Sequence, residues 1–324
     1  MTNPQTAALP QKKATAMTWL RLGRVSNLPT VWSNTLVGLT IGAATAGQVP
    51  DSLVLLVVLA LFAMSLFYIG GMFLNDAFDA GIDAIERPER PIPAGEVSAR
   101  QVFMAGFTLL GAGIALVAVK GSLVTQQALL VPLLSSVALA MCIVAYNMWH
   151  KENPASPLIM GLCRVFVYVT TATLVVPAIS TQLVLAALAL LAYLIGLTAI
   201  AKQENLSSVS SLWPLGLLFL PIVFWQWSGN WNWLTLLACI ALFVWVLRAC
   251  RLLADRKPGN IPKAVAGMLA GISLVDALAL ASMTTREHSG FMLSSMGFAD
   301  AALIIVCVIC FLLTLLFHRI VPGT

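Results

Sequence analysis

The sequence predicts an all-helical protein that crosses a membrane many times. Its 324 residues are 60% hydrophobic and only 10% charged, and the mean hydropathy is +0.93. Soluble globular domains carry roughly 25% charged residues, so a water-soluble fold is excluded. Apolar runs as long as a helix needs to cross the hydrocarbon core recur along the whole chain. The predicted fold class is therefore all-α and polytopic, with nine to ten transmembrane helices.

Ten apolar runs are long enough to be spanning helices. Each contains about 18 or more mainly apolar residues, and short polar or charged segments separate them. The shortest break, at 228–230, lies between two segments rich in tryptophan, which is enriched at membrane interfaces. We expect a single transmembrane domain over 29–320 after a cytoplasmic segment at 1–28. In chain order, the runs lie near 29–47, 52–74, 101–119, 124–147, 157–178, 182–201, 211–228, 232–254, 262–283 and 299–318.

The distribution of lysine and arginine predicts the orientation. When the N-terminus and every second loop are assigned to the cytoplasm, only Lys120 and Arg286 of the 18 basic residues fall outside. Basic residues accumulate on the cytoplasmic side of multi-span proteins. We therefore expect a protein of the inner (cytoplasmic) membrane with both termini in the cytoplasm. The same bias explains the net charge of +5, so no nucleic-acid partner is indicated.

Acidic residues are concentrated directly after the second run. Six of the thirteen fall within 76–96. A helix that continues through this stretch places Asp76, Asp79 and Asp83 at i, i+3 and i+7, on one face. Carboxylates this close repel one another unless a cation lies between them. Oxygen ligands without His or Cys favour Mg²⁺, which keeps one or two carboxylates and completes its shell with substrate phosphates. This face therefore predicts a magnesium and phosphate site.

The same stretch carries a long motif. Residues 75–95 read N-D-A-F-D-A-G-I-D-A-I-E-R-P-E-R-P-I-P-A-G. This resembles the first aspartate-rich motif of the UbiA superfamily of intramembrane prenyltransferases, N-D-x-x-D-x-x-x-D followed by R-P-x-R-P-I-P-x-G. Weaker similarities to the family at 24–30 and 146–151 lie before and after it.

The resemblance implies a fold and a reaction. Helices would surround a central cavity that opens sideways to lipid. With Mg²⁺ as cofactor, a prenyl group would pass from a polyprenyl diphosphate to an aromatic or other small acceptor. Matched onto this chain, the metal ligands are Asn75, Asp76, Asp79 and Asp83, and the three aspartates are also the catalytic residues. We expect the diphosphate contacts to be Asn27, Arg87, Arg90, Lys151, Arg164 and Lys202.

The second aspartate-rich motif of the family, of D-x-x-x-D type, is altered here. Residues 197–208 read L-T-A-I-A-K-Q-E-N-L-S-S, in which Glu204 is the only acid. We assign Glu204 a partial role as second metal ligand and group it with the catalytic aspartates. The K-Q-E sequence resembles the divergent EboC-type branch of the superfamily. The alternative hypothesis is a non-catalytic or weakly catalytic protein that binds or translocates a prenylated lipid or metabolite in the same pocket.

Two charged residues lie inside apolar runs. Arg164 either reaches the diphosphate or extends to the interface, as long basic side chains often do. Asp276 lies in the ninth run, where an unpaired carboxylate would be costly. It is therefore either neutral and hydrogen-bonded, or paired with a base such as Arg248 or Arg251.

Overall fold

The structure is a computed structural model that describes residues 14–48, 52–122, 126–151, 153–202, 213–227, 232–255, 257, 259–283 and 293–321. At 120–122, 126–128, 225–227 and 293–300 it describes the backbone alone. Across these ranges the chain forms helices joined by turns, and they contain no strand. The predicted all-α class is confirmed.

Most apolar runs form one continuous helix. The run near 211–228 instead forms two short helices, because Pro221 lacks an N–H and its ring would clash with the preceding turn of a continuous helix. A 3₁₀ turn at Val25–Asn27 follows α1. The helices are α1 (Ala16–Leu22), α2 (Leu28–Ala46), α3 (Leu53–Glu86), α4 (Ala99–Ser122), α5 (Gln126–Trp149), α6 (Ser156–Thr173), α7 (Thr181–Ala201), α8 (Trp213–Leu217), α9 (Leu220–Trp227), α10 (Trp233–Ala254), α11 (Asn260–Met283) and α12 (Leu293–Phe317).

Seven helices within the described ranges are long and apolar enough to cross a membrane: α3 to α7, α10 and α11. Two shorter apolar helices follow at Trp213–Phe224 and Ala301–Phe317. The polar residues Thr30, Ser33, Asn34 and Thr35 make α2 less apolar, and all four are buried. The prediction of a multi-pass membrane protein is confirmed, and the count of nine to ten spans stays a prediction.

The N-terminal helix α1 packs on the bundle. Thr18 and Leu22 are buried, and the rings of Trp19 and Phe73 lie 5.3 Å apart. Part of the segment that we expected at 1–28 therefore contacts α3. The domain boundary at residue 28 stays a prediction.

The two largest parts of the apolar core share α2 and α6. One part surrounds α11, which is the most enclosed of the seven apolar helices, with 83% of its apolar window buried. The other part lies between α3, α4 and α5. Since α2 and α6 contribute to both, their polar side chains lie at the boundary between the two parts.

Glycines bring α2 and α6 into close contact. A Cβ built on Gly38 would lie 1.9 Å from Thr171 Oγ1 and 2.7 Å from the Tyr168 carbonyl oxygen. A Cβ on Gly42 would lie 2.5 Å from the Ala172 carbonyl oxygen. The backbones approach each other at this distance only because both positions lack a side chain.

We expect Gly38→Ala to destabilise the protein by about 1–3 kcal/mol, the usual cost of overpacking a well-packed contact. The measurement is thermal unfolding of the purified protein in detergent. The matched control is Gly111→Ala on α4, where a Cβ would meet nothing within 4 Å. There the better helix propensity of alanine is expected to maintain or raise stability. Equal melting temperatures for Gly38→Ala and the wild type would contradict the prediction.

Candidate active site

The acidic motif continues α3 beyond its apolar part. The helix runs to Glu86, so Asp76, Asp79 and Asp83 are helical, as the spacing predicts. Their exposed fractions are 6%, 6% and 2%, and Asn75 beside them is also buried. Buried carboxylates are stable only with charged or hydrogen-bonding partners.

Basic side chains from three other segments supply these partners. Arg24 Nη2 donates to Asp76 Oδ1 at 2.9 Å and to Asn75 Oδ1 at 3.1 Å. Arg90 Nη1 donates to Asp83 Oδ2 at 2.7 Å and lies 3.4 Å from Asp76 Oδ1. The acidic motif is therefore charge-compensated by Arg90 of its own loop and by Arg24, which lies 52 positions before Asp76.

The third carboxylate, Asp79, faces the end of α5. His150 Nε2 lies 3.4 Å from Asp79 Oδ2, and Lys151 Nζ lies 3.8 Å from Asp79 Oδ1. The predicted contact residue Lys151 thus stands beside the acidic motif. The sequence interpretation gave no role to His150, which occupies the position where the family usually has lysine.

Arg24 was also missed as a site residue. It is the one residue other than glycine with positive φ in the described chain, at φ 40°. Burial acts to lower its pKa, but nearby Asp76 and the other groups facing it raise the pKa above its usual value, so the guanidinium stays charged. The available signal was its place at the start of the stretch 24–30, which resembles the family.

The loop after α3 is held by hydrogen bonds within its own backbone and by one hydrogen bond from α1. The Ala94 N–H donates to the Arg90 carbonyl at 2.9 Å, and the Glu96 N–H donates to the Pro91 carbonyl at 3.0 Å. Thr18 of α1 donates to Glu96 Oε2 at 2.6 Å. These contacts orient the segment that carries Arg90 against the acidic end of α3.

A cavity of about 420 Å³ lies between α3, α5, α6, α7 and α11. Its basic lining residues outnumber its acidic ones, six to three, so it favours anionic ligands. The acidic ones are Asp79, Asp83 and Glu86, and the basic ones are Arg24, Arg87, Arg90, Lys151, Arg164 and Lys202.

Every predicted site residue in the described part of the chain lines this cavity except Asp76. Asn27 and Asn75 complete the set. Asp76 instead contacts Arg24 and Arg90. Glu204 lies outside the described residues. The structure thus brings together residues that are up to 175 positions apart, from Asn27 to Lys202.

The oxygen donors at the acidic end fit a Mg²⁺ ion whose coordination shell is completed by substrate phosphates. Asp79 and Asp83, one turn apart on α3, present carboxylates to the cavity beside the Asn75 amide. Within the residues that the structure describes, no group of three or more His, Cys, Asp or Glu could hold a metal ion by itself. Oxygen donors limited to one or two carboxylates are what Mg²⁺ uses when phosphates complete its coordination.

Away from the acidic end, the cavity becomes apolar and aromatic. Met64, Phe67 and Tyr68 of α3 line it, and Tyr146 faces it from α5. The apolar wall also includes Leu139, Ile143, Val167, Leu194 and Ile272. The site therefore suits a ligand that has an anionic head and an apolar chain.

A sequence profile of the UbiA prenyltransferase family matches residues 31–274. The chain belongs to this family. The match covers the acidic part of α3, the cavity walls from α2 to α7, and most of α11. The placement in the EboC-type branch stays a prediction.

Curated relatives and solved structures are similar to this chain. The digeranylgeranylglyceryl phosphate synthase of Metallosphaera sedula is 37% identical over 125 residues, which are 37% of this chain and 39% of the relative. The enzyme of the same name from Methanoculleus marisnigri is 34% identical over 136 residues, 42% and 43% of the two chains. The chain thus spans about two fifths of the length of these curated relatives.

Structural similarity extends further along the chain. A UbiA homologue from Archaeoglobus fulgidus, bound to DMAPP and Mg²⁺, superposes with a TM-score of 0.56 at 12% identity, over 91% of this chain and 99% of the other. The apo UbiA homologue from Aeropyrum pernix K1 has a TM-score of 0.54 at 17% identity, over 81% and 98%. At such low sequence identity, this structural similarity establishes the UbiA fold and nothing beyond it.

Lys202 at the end of α7 holds the connection between α5 and α6. Its Nζ donates to the carbonyls of His150 and Asn153 at 3.2 and 2.9 Å, and to Ser156 Oγ at 2.8 Å. An ammonium group has three donors, so these bonds use all of them. Partial burial lowers the Lys202 pKa from its usual value. In this UbiA-family site, Lys202 lines the cavity and positions the segment that carries His150 and Lys151.

The Arg164 side chain does not extend to the membrane–water interface. It is buried, and its guanidinium carbon lies 5.6 Å from the centre of the Tyr68 ring in the cavity wall. Asp276 accepts hydrogen bonds from neutral side chains of α2 and α6, and among the described residues no ion pair joins it to Arg248 or Arg251. Arg248 lies instead over Trp245, 4.7 Å from the ring centre.

Asn27, at the start of α2, is held by the end of α12. His318 Nε2 lies 2.7 Å from Asn27 Oδ1. Burial lowers the pKa of His318 from its usual value, which favours a neutral ring. The predicted contact Asn27 is therefore oriented by a residue 291 positions later in the chain.

Proposed function

We propose that this protein transfers a prenyl group from a polyprenyl diphosphate to an acceptor within the membrane, with Mg²⁺ as cofactor. One observation supports this best: a single cavity joins two buried carboxylates and a surplus of cations to an apolar, aromatic wall. A prenyl diphosphate has the matching division into a charged head and an apolar chain. The relatives and the fold belong to the same reaction class.

The diphosphate would lie at the acidic end of α3. Asp79 and Asp83, aided by Asn75, would hold Mg²⁺, which when bound neutralises charge on the leaving group. Arg87 and Arg90 offer forked donors to phosphate oxygens, and Arg90 already lies 2.7 Å from Asp83. The role of Asp76 in this arrangement is to hold Arg24 and Arg90 in place.

The apolar part of the cavity would hold the prenyl chain and exclude water. When the bond between carbon 1 and oxygen breaks, the diphosphate takes the electron pair and an allylic cation forms. The acceptor oxygen supplies the electron pair for the new bond and then loses its proton to the released diphosphate. Low water content protects the cation from hydrolysis. The faces of Phe67, Tyr68 and Tyr146 can stabilise it.

For the acceptor, we propose an alcohol that carries a phosphate, represented in the experiments by geranylgeranylglyceryl phosphate. The curated relatives are named for a product that contains glyceryl phosphate. Six basic lining residues against three acidic ones suit two phosphorylated substrates better than one phosphorylated and one neutral aromatic substrate. The sequence interpretation expected an aromatic or other small acceptor, and the names of the relatives do not support an aromatic one.

The charged end of the cavity supports the predicted orientation. Arg24, Arg90, Lys151 and Lys202 come from four segments and meet at one end of the bundle. Basic residues collect on the cytoplasmic side. We therefore propose that the cavity opens toward the cytoplasmic face of the inner membrane, where soluble diphosphates are accessible.

The test uses purified protein in lipid nanodiscs with geranylgeranyl diphosphate and Mg²⁺. We expect release of diphosphate and formation of a new lipid when geranylgeranylglyceryl phosphate is added, and loss of both with EDTA. Release with a phenolic acceptor alone would contradict the acceptor class. If the protein bound geranylgeranyl diphosphate but released no diphosphate with either acceptor, the enzyme proposal would be overturned in favour of a carrier.

A further inference from the structure

The most enclosed charged side chain of the described residues is remote from the acidic motif. Asp276 on α11 has no exposed surface. The hydroxyls of Ser33 and Tyr168 donate to its carboxylate, and Asn34 Nδ2 lies 2.9 Å from both of its oxygens. The cavity lining does not include Asp276. A carboxylate inside apolar helices is costly and usually has a function.

Asn34 links this carboxylate to the cavity. Its Oδ1 accepts from Arg164 Nη1 at 2.9 Å. An amide has donors on nitrogen and an acceptor on oxygen. Because Asp276 accepts only, it binds the amide nitrogen and turns the oxygen toward Arg164. The carboxylate therefore selects the one orientation of Asn34 that can hold the guanidinium.

A second contact fixes Arg164 along α2. Its Nη2 donates to Thr30 Oγ1 at 3.0 Å, and Thr30 donates in turn to the Asn27 carbonyl at 2.8 Å. Arginine has five N–H donors, and these two bonds use two of them. Since Arg164 lines the cavity and lies over Tyr68, its other donors are available to a ligand.

We propose that Asp276 is a positioning residue: through Asn34 it holds Arg164 in the orientation that binds a phosphate oxygen of a substrate. The proposal rests on the proposed function, in which both the prenyl diphosphate and the acceptor carry phosphate. It differs from a purely structural role, in which Asp276 would only connect α2, α6 and α11.

The experiment compares wild type, Asp276→Asn, Arg164→Gln and the double variant in nanodiscs with Mg²⁺. The kcat and KM are measured for geranylgeranyl diphosphate and for geranylgeranylglyceryl phosphate separately. We expect Asp276→Asn to raise one KM about tenfold or more, the loss typical of a hydrogen bond to a charged group. The substrate whose KM rises identifies the phosphate that Arg164 binds.

Two comparisons separate positioning from general damage. If Asp276 acts through Arg164, the double variant has the KM of Arg164→Gln alone. The matched control is Tyr193→Phe, which removes another buried hydrogen bond to α11, from Tyr193 Oη to the Met268 carbonyl at 2.8 Å. We expect this control to lower the melting temperature and leave both KM values within about twofold.

A second variant covers the case in which Asp276→Asn does not fold. Asn34→Ala breaks the link while Asp276 keeps the Ser33 and Tyr168 bonds. We expect the same rise in KM. Unchanged KM in Asn34→Ala, or additive effects in the double variant, would overturn the inference and leave the proposed function standing. Absence of turnover in the wild type would instead end the proposed function itself.

Discussion

Asp79→Asn is expected to reduce prenyl transfer by about 10²–10³-fold, the loss typical of removing one preorganised charge-stabilising group. Asp79 is one of the two buried carboxylates that line the cavity, and it is 6% exposed. The amide has nearly the same shape but no charge, so it binds Mg²⁺ far more weakly. The measurement is diphosphate release at a series of Mg²⁺ concentrations, with binding of geranylgeranyl diphosphate measured in parallel.

The matched control for this variant is Glu89→Gln. Glu89 lies in the loop after α3, is exposed, and does not belong to the cavity lining. We expect wild-type rates and an unchanged Mg²⁺ dependence. If Asp79→Asn still bound geranylgeranyl diphosphate in a Mg²⁺-dependent way and at the wild-type affinity, the assignment of the metal site to this face of α3 would be wrong.

Arg24→Gln is expected to lower the free energy of unfolding by about 3 kcal/mol, because it leaves a buried carboxylate without its main partner. The side chains of Arg24 and Asp76 are 18% and 7% exposed and lie 2.9 Å apart. Arg90, at 3.4 Å, compensates Asp76 only in part. Thermal unfolding in detergent measures the loss.

The double variant Arg24→Gln with Asp76→Asn identifies the cause. Removing the unpaired charge is expected to restore a large part of the stability. Arg21→Gln is the control, since Arg21 is exposed on α1, and exposed substitutions usually change stability by less than about 0.5 kcal/mol. A double variant no more stable than Arg24→Gln would exclude charge burial as the reason.

The sequence predicted the acidic motif because all of its residues lie close together in the chain. Asp76, Asp79 and Asp83 belong to one helix, and helical periodicity alone places them on one face. The family motif at 75–95 extended this to the reaction class. The basic contacts Arg87, Arg90 and Lys151 follow from the same motif and its neighbours, and all three line the cavity.

The sequence did not predict which basic side chain contacts which acidic one. The sequence interpretation treated Asp76 as equivalent to Asp79, but Asp76 contacts Arg24, 52 positions earlier. Lys202 was predicted to contact phosphate, yet its three donors bind the α5–α6 connection. Which cation meets which anion depends on how helices pack, and no local pattern encodes that packing.

By itself, the sequence determined the membrane location, the helical class, the acidic face of α3 and the family. The first three depend on composition or on spacing within one segment, and the family was indicated by the resemblance of the motif at 75–95. Only the tertiary structure decided that Asp276 is bound by α2 and α6 side chains, and that Asn34 connects it to Arg164. The physical reason is that a buried charge takes whichever polar groups the packed helices bring within about 3 Å, and those groups are distant in the chain.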